Sequence, residues 1–462
     1  SKSDSSSRSR NERKKKVVGE QKFPSDQTLD VAYRFEKAER RKRWPRHIKS
    51  GSVVLHVAEK PSIAEALAKA FSTGEYRSEG SHPYHTPVHS FQSEFLGATC
   101  MFKVTSVTGH VYNCDYVQGY ESWEKTEGDI LFKVPTLKKP TAGSILRHLS
   151  AVATGVDLVV LWLDCDPEGE NICFEVLNTV VQRLTTTYGQ SKRVFRAVFS
   201  SLAAVDLRKA LSPPGTPGGL VSPNINVSKS VDARQILDLK MGVSFTRFQT
   251  VFLRQTFSRL ANKVISFGPC QTPTLGLCVT RFDEIQEFTP EKFWQISANL
   301  HLPPPAPPGS TLPGTWASGR TFDQKECIAL LEVAKKEAKG YAVIDTVKVT
   351  EKKMSRPLPL NTTALLKAAS RGLGLSPHET MRTAEHLYTS GYISYPRTET
   401  TAYSKNFDVF GLVKGHVNHP DWGDAAKDIL SNPSRPKGGV DMGDHPPITP
   451  VRSVGRSELG GR

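Results

Sequence analysis

Leu158-Val159-Val160-Leu161-Trp162-Leu163 is wholly apolar, and Asp164-Cys165-Asp166-Pro167-Glu168-Gly169-Glu170-Asn171 follows it directly. A short apolar run bounded by a turn predicts a strand buried on both faces. Pro167 suits the first position of a helix, and the helical pattern runs on to about Leu184. A strand that feeds straight into a helix is the repeating unit of a parallel α/β sheet. Further strands are expected at residues 53–58, 102–107 and 194–199, with a helix over 61–71, so an α/β domain is predicted over residues 52–203.

The same turn carries candidate chemistry. Alternation along an extended chain puts Asp164 and Asp166 on one side and Cys165 on the other, with Glu168 opening the next helix. Carboxylates that converge repel one another unless a hard cation takes up the charge, and Mg²⁺ accepts one or two carboxylates alongside waters and phosphate oxygens. Helix capping is the competing reading; it explains one carboxylate well and a cluster behind an apolar strand poorly. Glu59-Lys60-Pro61-Ser62 occupies the corresponding turn after the first strand, at the edge where open α/β sheets bind ligands. An ordinary exposed Glu-Lys pair would look the same.

A second stretch is Gly391-Tyr392-Ile393-Ser394-Tyr395-Pro396-Arg397-Thr398-Glu399-Thr400-Thr401. Tyr395 offers a phenol able to attack phosphorus. Pro396 favours an extended residue before it, so Arg397 is expected on the same side as Tyr395, its guanidinium fork suited to phosphate oxygens. The plain alternative is a buried tyrosine beside a surface arginine. Asn361 and Ser376-Pro377-His378-Glu379 open two helices upstream, and Gly391 closes the second. Downstream, His445 sits in the turn Asp444-His445-Pro446-Pro447.

Between these stretches, residues 204–288 read as helical. A long helix over 234–257 carries Arg234, Asp238, Arg247 and Arg254. Ser266-Phe267-Gly268-Pro269-Cys270-Gln271 forms a rigid turn whose amides and hydroxyls suit phosphates or simply shape the chain. Residues 289–355 are expected to be β-rich, with strands at 293–300 and 341–350, a helix at 323–337 and a Pro/Gly-rich loop over 303–319.

The chain of 462 residues has formal net charge +15, and its first 50 residues hold 16 Lys/Arg against 7 Asp/Glu. The excess is therefore mostly in an extension, 1–51, expected to be disordered. Its clusters Arg13-Lys14-Lys15-Lys16 and Arg40-Arg41-Lys42-Arg43 fit nuclear import signals, nucleic-acid arms or a solvated tail. Seven cysteines without a C-x-x-C pair indicate neither a zinc site nor a disulfide framework, and suit a reducing compartment. No apolar run reaches transmembrane length, so no membrane partner is expected.

Taken together, Val57-Ala58-Glu59-Lys60-Pro61-Ser62, Trp162-Leu163-Asp164-Cys165-Asp166, Glu168-Gly169-Glu170-Asn171, Val231-Asp232-Ala233-Arg234-Gln235, Phe267-Gly268-Pro269-Cys270-Gln271-Thr272, the Tyr395 stretch and Gly443-Asp444-His445-Pro446-Pro447-Ile448 resemble the type IA topoisomerases, most closely their eukaryotic III beta branch. The motifs keep the family's order from about Val53 to Gly461. The resemblance implies a Toprim (Rossmann-like) α/β domain joined to a mixed α+β core, with an incomplete toroid. Its parts would be the Toprim domain at 52–203, a helical strand-binding domain at 204–288, an arch segment at 289–355 and a catalytic tyrosine domain at 356–462. It implies Mg²⁺ at Glu59, Asp164, Asp166 and Glu168. It implies Tyr395 as the nucleophile of a 5′-phosphotyrosyl bond, with Arg397, Lys60 and His445 at the scissile phosphate and Glu59 or Lys60 managing protons. Arg234, Asp238 and Ser266 to Gln271 would line a single-strand groove. Expected partners are single-stranded or negatively supercoiled DNA, with RNA allowed, in the nucleus and also the cytoplasm. Pro269, Pro446 and Pro167 replace polar residues common in relatives. The chain also stops short of the family's full core, which suggests a fragment that binds strands without full strand passage. A Toprim nuclease or primase would share the acids and would not need Tyr395.

Overall fold

The computed structural model describes residues 29–462, apart from 82–85, 121–122, 124–128, 353, 355, 406, 443–444, 456–457 and 459–462. The basic cluster at 13–16 and Asp444 lie outside the described residues. The chain divides into two units: residues 1–268 with 357–462, and Pro269–Arg356.

The first unit is built on a six-stranded sheet in the order β2-β3-β4-β1-β7-β8. Its strands are β1 (Val53–Ala58), β2 (Arg77–Ser81), β3 (Thr86–Phe95), β4 (Ala98–Ser106), β7 (Leu158–Trp162) and β8 (Val194–Arg196). A separate antiparallel pair, β5 (Tyr112–Tyr116) and β6 (Thr136–Pro140), lies between β4 and β7 in sequence. β1 runs parallel to β4 and β7, and β7 parallel to β8. β3 is antiparallel to both β2 and β4, so the sheet is mixed rather than all parallel. The reversal comes from Leu96 and Gly97, both at positive φ, which join Phe95 to Ala98 in the tight turn that suits a twisted hairpin.

Alternation along the central strands supplies two cores. Val54, Ala58, Leu158, Val160 and Trp162 face α2 (Pro61–Phe71) and α5 (Ala204–Ala210). Leu55, Val57, Val159 and Leu161 face α1 (Asp30–Glu39), α3 (Gly143–Val152) and α4 (Pro167–Val180). Apolar residues at successive positions of β7 are thus all buried, as the uninterrupted run demanded.

α1 corrects the expectation of a disordered extension for residues 30–39. Leu29, Ala32 and Tyr33 share one helical face, and Leu29 and Ala32 are buried while the Tyr33 ring lies 5.3 Å from Phe174 of α4. A basic composition masked that apolar stripe.

α6 (Ile225–Thr256) is the longest helix, capped by Asn224, whose side chain accepts from the amides of Asn226 and Val227. Later in the same unit come α9 (Thr362–Leu373), α10 (Pro377–Thr389), α11 (Val409–Lys414) and α12 (Gly423–Ser431). Asn361 caps α9 through the Ala364 amide, and Ser376 with Glu379 forms a reciprocal capping box on α10. Gly391, at φ +76°, turns the chain out of α10 toward Tyr395.

The second unit holds α7 (Gln271–Gln286), β9 (Trp294–His301), β10 (Thr311–Thr321) and α8 (Gln324–Ala338). β10 corrects the predicted loop over 303–319: Thr311 to Thr315 pair antiparallel with β9, and the pairing resumes at Arg320 after a break in register. Pro313 is tolerated because a two-stranded ribbon has only edge strands. The expected strand at 341–350 forms no regular element and has no ladder partner among the described residues. Among the described residues no helix is long and apolar enough to cross a membrane.

Gly169, in the first turn of α4, packs so closely on the acidic turn that a Cβ there would stand 2.0 Å from the Asp164 carbonyl oxygen. Gly169→Ala is expected to destabilise the fold by about 1–3 kcal/mol, read as a lower midpoint in thermal or denaturant unfolding.

Candidate active site

Parallel pairing sets Ala58 beside Trp162, so the residues that follow leave neighbouring strands at one edge of the sheet. Glu59 and Asp164 meet there: the Asp164 amide donates to Glu59 Oε2 at 2.9 Å. Both side chains are nearly inaccessible. Burial, and then the Asp164 carboxylate, pushes the Glu59 carboxyl up to about 7. Lys60 offsets part of this charge, its Nζ 3.3 Å from Asp164 Oδ2 and 4.0 Å from Glu59 Oε1.

Asp166 has two tasks. Its Oδ1 caps α4 by accepting from the Gly169 amide at 2.8 Å. Its Oδ2 accepts from the Tyr395 hydroxyl at 2.6 Å, across 229 positions of sequence. The Tyr395 amide donates to the Ser200 carbonyl at 3.0 Å. Burial, followed by the Asp166 and Asp164 carboxylates, raises the phenol well above its ordinary value and holds it protonated. The His445 ring lies 4.4 Å from the Tyr395 ring and is buried.

The Arg397 guanidinium pairs with Glu385, and its charge acts on the phenol as well, favouring ionisation of Tyr395. Glu168 is held by Arg234 and by His110 Nε2 at 3.1 Å. Asp238 stands 4.0 Å from Arg234 on the next turn of α6. Neither Glu59 nor Lys60 is bonded to the phenol; its hydrogen-bond acceptor is Asp166. Among the described residues no group of three or more His, Cys, Asp or Glu is gathered so as to hold a metal ion.

Ser266 is exposed, while Phe267 is anchored on α6, its amide donating to Thr246 Oγ1 at 2.8 Å and its ring 4.8 Å from Phe245. Gly268 ends the first unit; Pro269, Cys270 and Gln271 begin the second, with Cys270 exposed at the start of α7.

Three groups escaped the sequence reading. Arg196, fully buried on β8, donates to the carbonyls of Leu161 (3.3 Å), Leu163 (2.8 Å), Asp164 (2.9 Å) and Ala197 (2.9 Å), and pairs with Glu170 at 3.1 Å. It holds the end of β7 and the acidic turn in shape. An arginine inside the apolar run 194–199 was the available signal. Lys138, also buried, joins Glu175 (3.0 Å) to Asp232 (2.6 Å), and Tyr33 of α1 donates to Asp232 at 2.5 Å. Tyr388 donates to Asp164 Oδ1 at 3.1 Å.

A mixed sheet whose strand ends gather acids, met by a buried tyrosine from a distant helical segment, is the arrangement of a Toprim domain joined to a topoisomerase core. A Toprim domain model matches residues 54–202 and a DNA topoisomerase family model matches residues 222–461. The chain belongs to the type IA DNA topoisomerase family. It is 44% identical over 412 residues to DNA topoisomerase 3-beta-1 of Homo sapiens, an overlap covering 88% of this chain and 46% of that protein. It is 42% identical over 411 residues to DNA topoisomerase 3-beta of Drosophila melanogaster, covering 88% and 45%. The full-length topoisomerase I of Thermotoga maritima shares the fold, with a TM-score of 0.52 and 20% identity over 86% of this chain and 55% of that one. The chain thus spans less than half the length of the two topoisomerases 3-beta. Toprim domains are divalent-metal-binding domains.

Arg196→Met would leave Glu170 buried without its cation and strip donors from four carbonyls. A loss of about 3–5 kcal/mol is expected, measured by denaturant unfolding, with Val194→Ala on the same strand as the control for lost packing alone.

Proposed function

We propose that this chain cleaves and reseals single-stranded nucleic acid through a tyrosyl-phosphate intermediate, and that in a protein of its relatives' length this reaction supports ATP-independent strand passage and relaxation of negative supercoils. The hydrogen bond from Tyr395 to Asp166 carries the reading, because it unites the candidate nucleophile with the acidic strand end. The phenol oxygen attacks a backbone phosphorus, the Tyr395 O–P bond forms, the bond to the 3′ oxygen breaks, and that oxygen leaves as a hydroxyl. Resealing runs the same exchange backwards. One phosphodiester replaces another, so no nucleotide hydrolysis is required.

Burial keeps the phenol protonated, so its proton must leave as the oxygen attacks. Asp166 is the group placed to receive it. His445 packs on the tyrosine ring and limits its swing. Arg397 is assigned to the phosphate. Its pair with Glu385 is largely exposed and costs little to break, about 0–1 kcal/mol, so a phosphate can claim the guanidinium. Lys60, reaching the acids from the first strand end, is assigned to the same oxygens.

The donor set suits a hard cation. Glu59, Asp164 and Asp166 present only oxygen, and burial, followed by the Asp164 carboxylate, makes an anionic Glu59 costly unless a cation joins it. These three are assigned to Mg²⁺, which would have to draw them closer together than they stand here and when bound would supply positive charge against the phosphate oxygens. Glu168 belongs more closely with Arg234, at the strand-binding helix. Arg234, Asp238 and the turn at 266–271 are assigned to the bound strand. RNA beside DNA, and residence in the nucleus, are proposed on the family resemblance.

Tyr395→Phe is expected to abolish the detergent-resistant adduct with labelled single-stranded DNA and Mg²⁺, while a filter assay still finds the strand bound; a surviving adduct would remove Tyr395 as the nucleophile. Asp164→Asn combined with Asp166→Asn should eliminate Mg²⁺-dependent resealing, scored by recovery of intact labelled strand after salt addition. Binding without any adduct from the unmodified protein would favour a strand-binding role instead.

A further inference from the structure

Tyr388 is a second phenol at the same site, the penultimate residue of α10. It is 1% exposed, and its ring stands edge-on to Tyr395 with centroids 5.2 Å apart. Both rings belong to the core that also holds Trp162, Leu67 and Phe199. A phenylalanine would fill that volume equally well. The hydroxyl adds one thing, a bond to Asp164 Oδ1 across 224 positions of sequence.

Three polar links therefore hold the tyrosine-bearing segment on the acidic turn and the segment that follows β8: Tyr388 to Asp164, Tyr395 to Asp166, and the Tyr395 amide to the Ser200 carbonyl. The Tyr395 hydroxyl link cannot survive cleavage, because its proton is lost and its oxygen becomes bonded to phosphorus. The Tyr388 hydroxyl is not consumed. We infer that Tyr388 is a positioning residue, a latch that returns the esterified Tyr395 segment to the acidic turn so that resealing can occur. This rests on the reading of Tyr395 as the nucleophile, and it takes the contact of Tyr395 with the acidic turn as a gate that opens for strand passage and closes for resealing.

The chemistry of the contact supports the role. A neutral donor on a buried carboxylate is stronger than an ordinary hydrogen bond. Asp164 faces Lys60 through Oδ2 and receives Tyr388 on Oδ1, so the phenol also fixes which way the carboxylate turns. Oxygen lone pairs remain for a cation, as expected of an outer partner that orients a metal ligand.

Tyr388→Phe keeps the ring and removes the hydroxyl. In the full chain without nucleic acid, amide hydrogen exchange over residues 394–397 and 200–203 should quicken about tenfold, while β1 and β7 keep their protection. With labelled single-stranded DNA and Mg²⁺, resealing should slow by about the same factor and by more than cleavage does, so that adduct accumulates. Unchanged exchange over 394–397 overturns the latch, and so does faster exchange spread through the whole sheet. Faster exchange with normal resealing also overturns the positioning role. If exchange quickens at the interface alone and the unmodified protein forms no adduct, the gate contact stands and the proposed function falls.

Discussion

The amide of Asp164 can reach the Glu59 carboxylate because β1 and β7 run parallel and in step, and that contact gathers negative charge where the sheet has already excluded water. Such a cluster repels itself. Around it the chain places Lys60 from one strand end, two phenols from α10 and the segment beyond it, and Arg196 behind the turn. Arg196 works through the backbone: four carbonyls share one guanidinium, so the turn keeps its shape while the carboxylates stay free to bind. The nucleophile candidate is thus held in the same charge balance that would seat a cation and a phosphate. Loss of any one partner shifts the rest.

Legibility from sequence followed the range of the forces involved. The apolar run 158–163, Pro167 and the Ser376–Glu379 box are local signals, and β7, α4 and α10 appear where they point. Glu59, Asp164 and Asp166 were legible because strand ends of a parallel sheet share an edge. The Glu385 partner of Arg397 was not legible, because it lies twelve residues back on another element. Glu168 was grouped with the other acids by proximity in sequence, whereas the first turn of α4 carries it round to His110 and Arg234. Tyr388 and Arg196 left little trace, since a tyrosine on a helix and an arginine in a strand acquire meaning only from partners far along the chain.

α1 joins the extension to this site. Tyr33 shares Asp232 with Lys138 and Asn171, and Asp232 lies two residues before Arg234 on α6. From there the path runs through Glu175 and His110 to Glu168. α6 and the acidic turn are therefore parts of one polar network, anchored on one side by a helix that composition alone assigned to a solvated tail.

The step-by-step pairing of β1 with β7 also determines where this protein can change length. One residue inserted into either strand would turn Glu59 or Asp164 to the opposite face and part the two acids. The turn from Pro303 to Ser310 joins two strands of a small ribbon in the second unit, so chain length can drift there without altering the register of β1 and β7. Natural variants of the molecule should therefore show gaps and additions in the second unit, and a fixed residue count between each central strand and the acid that follows it.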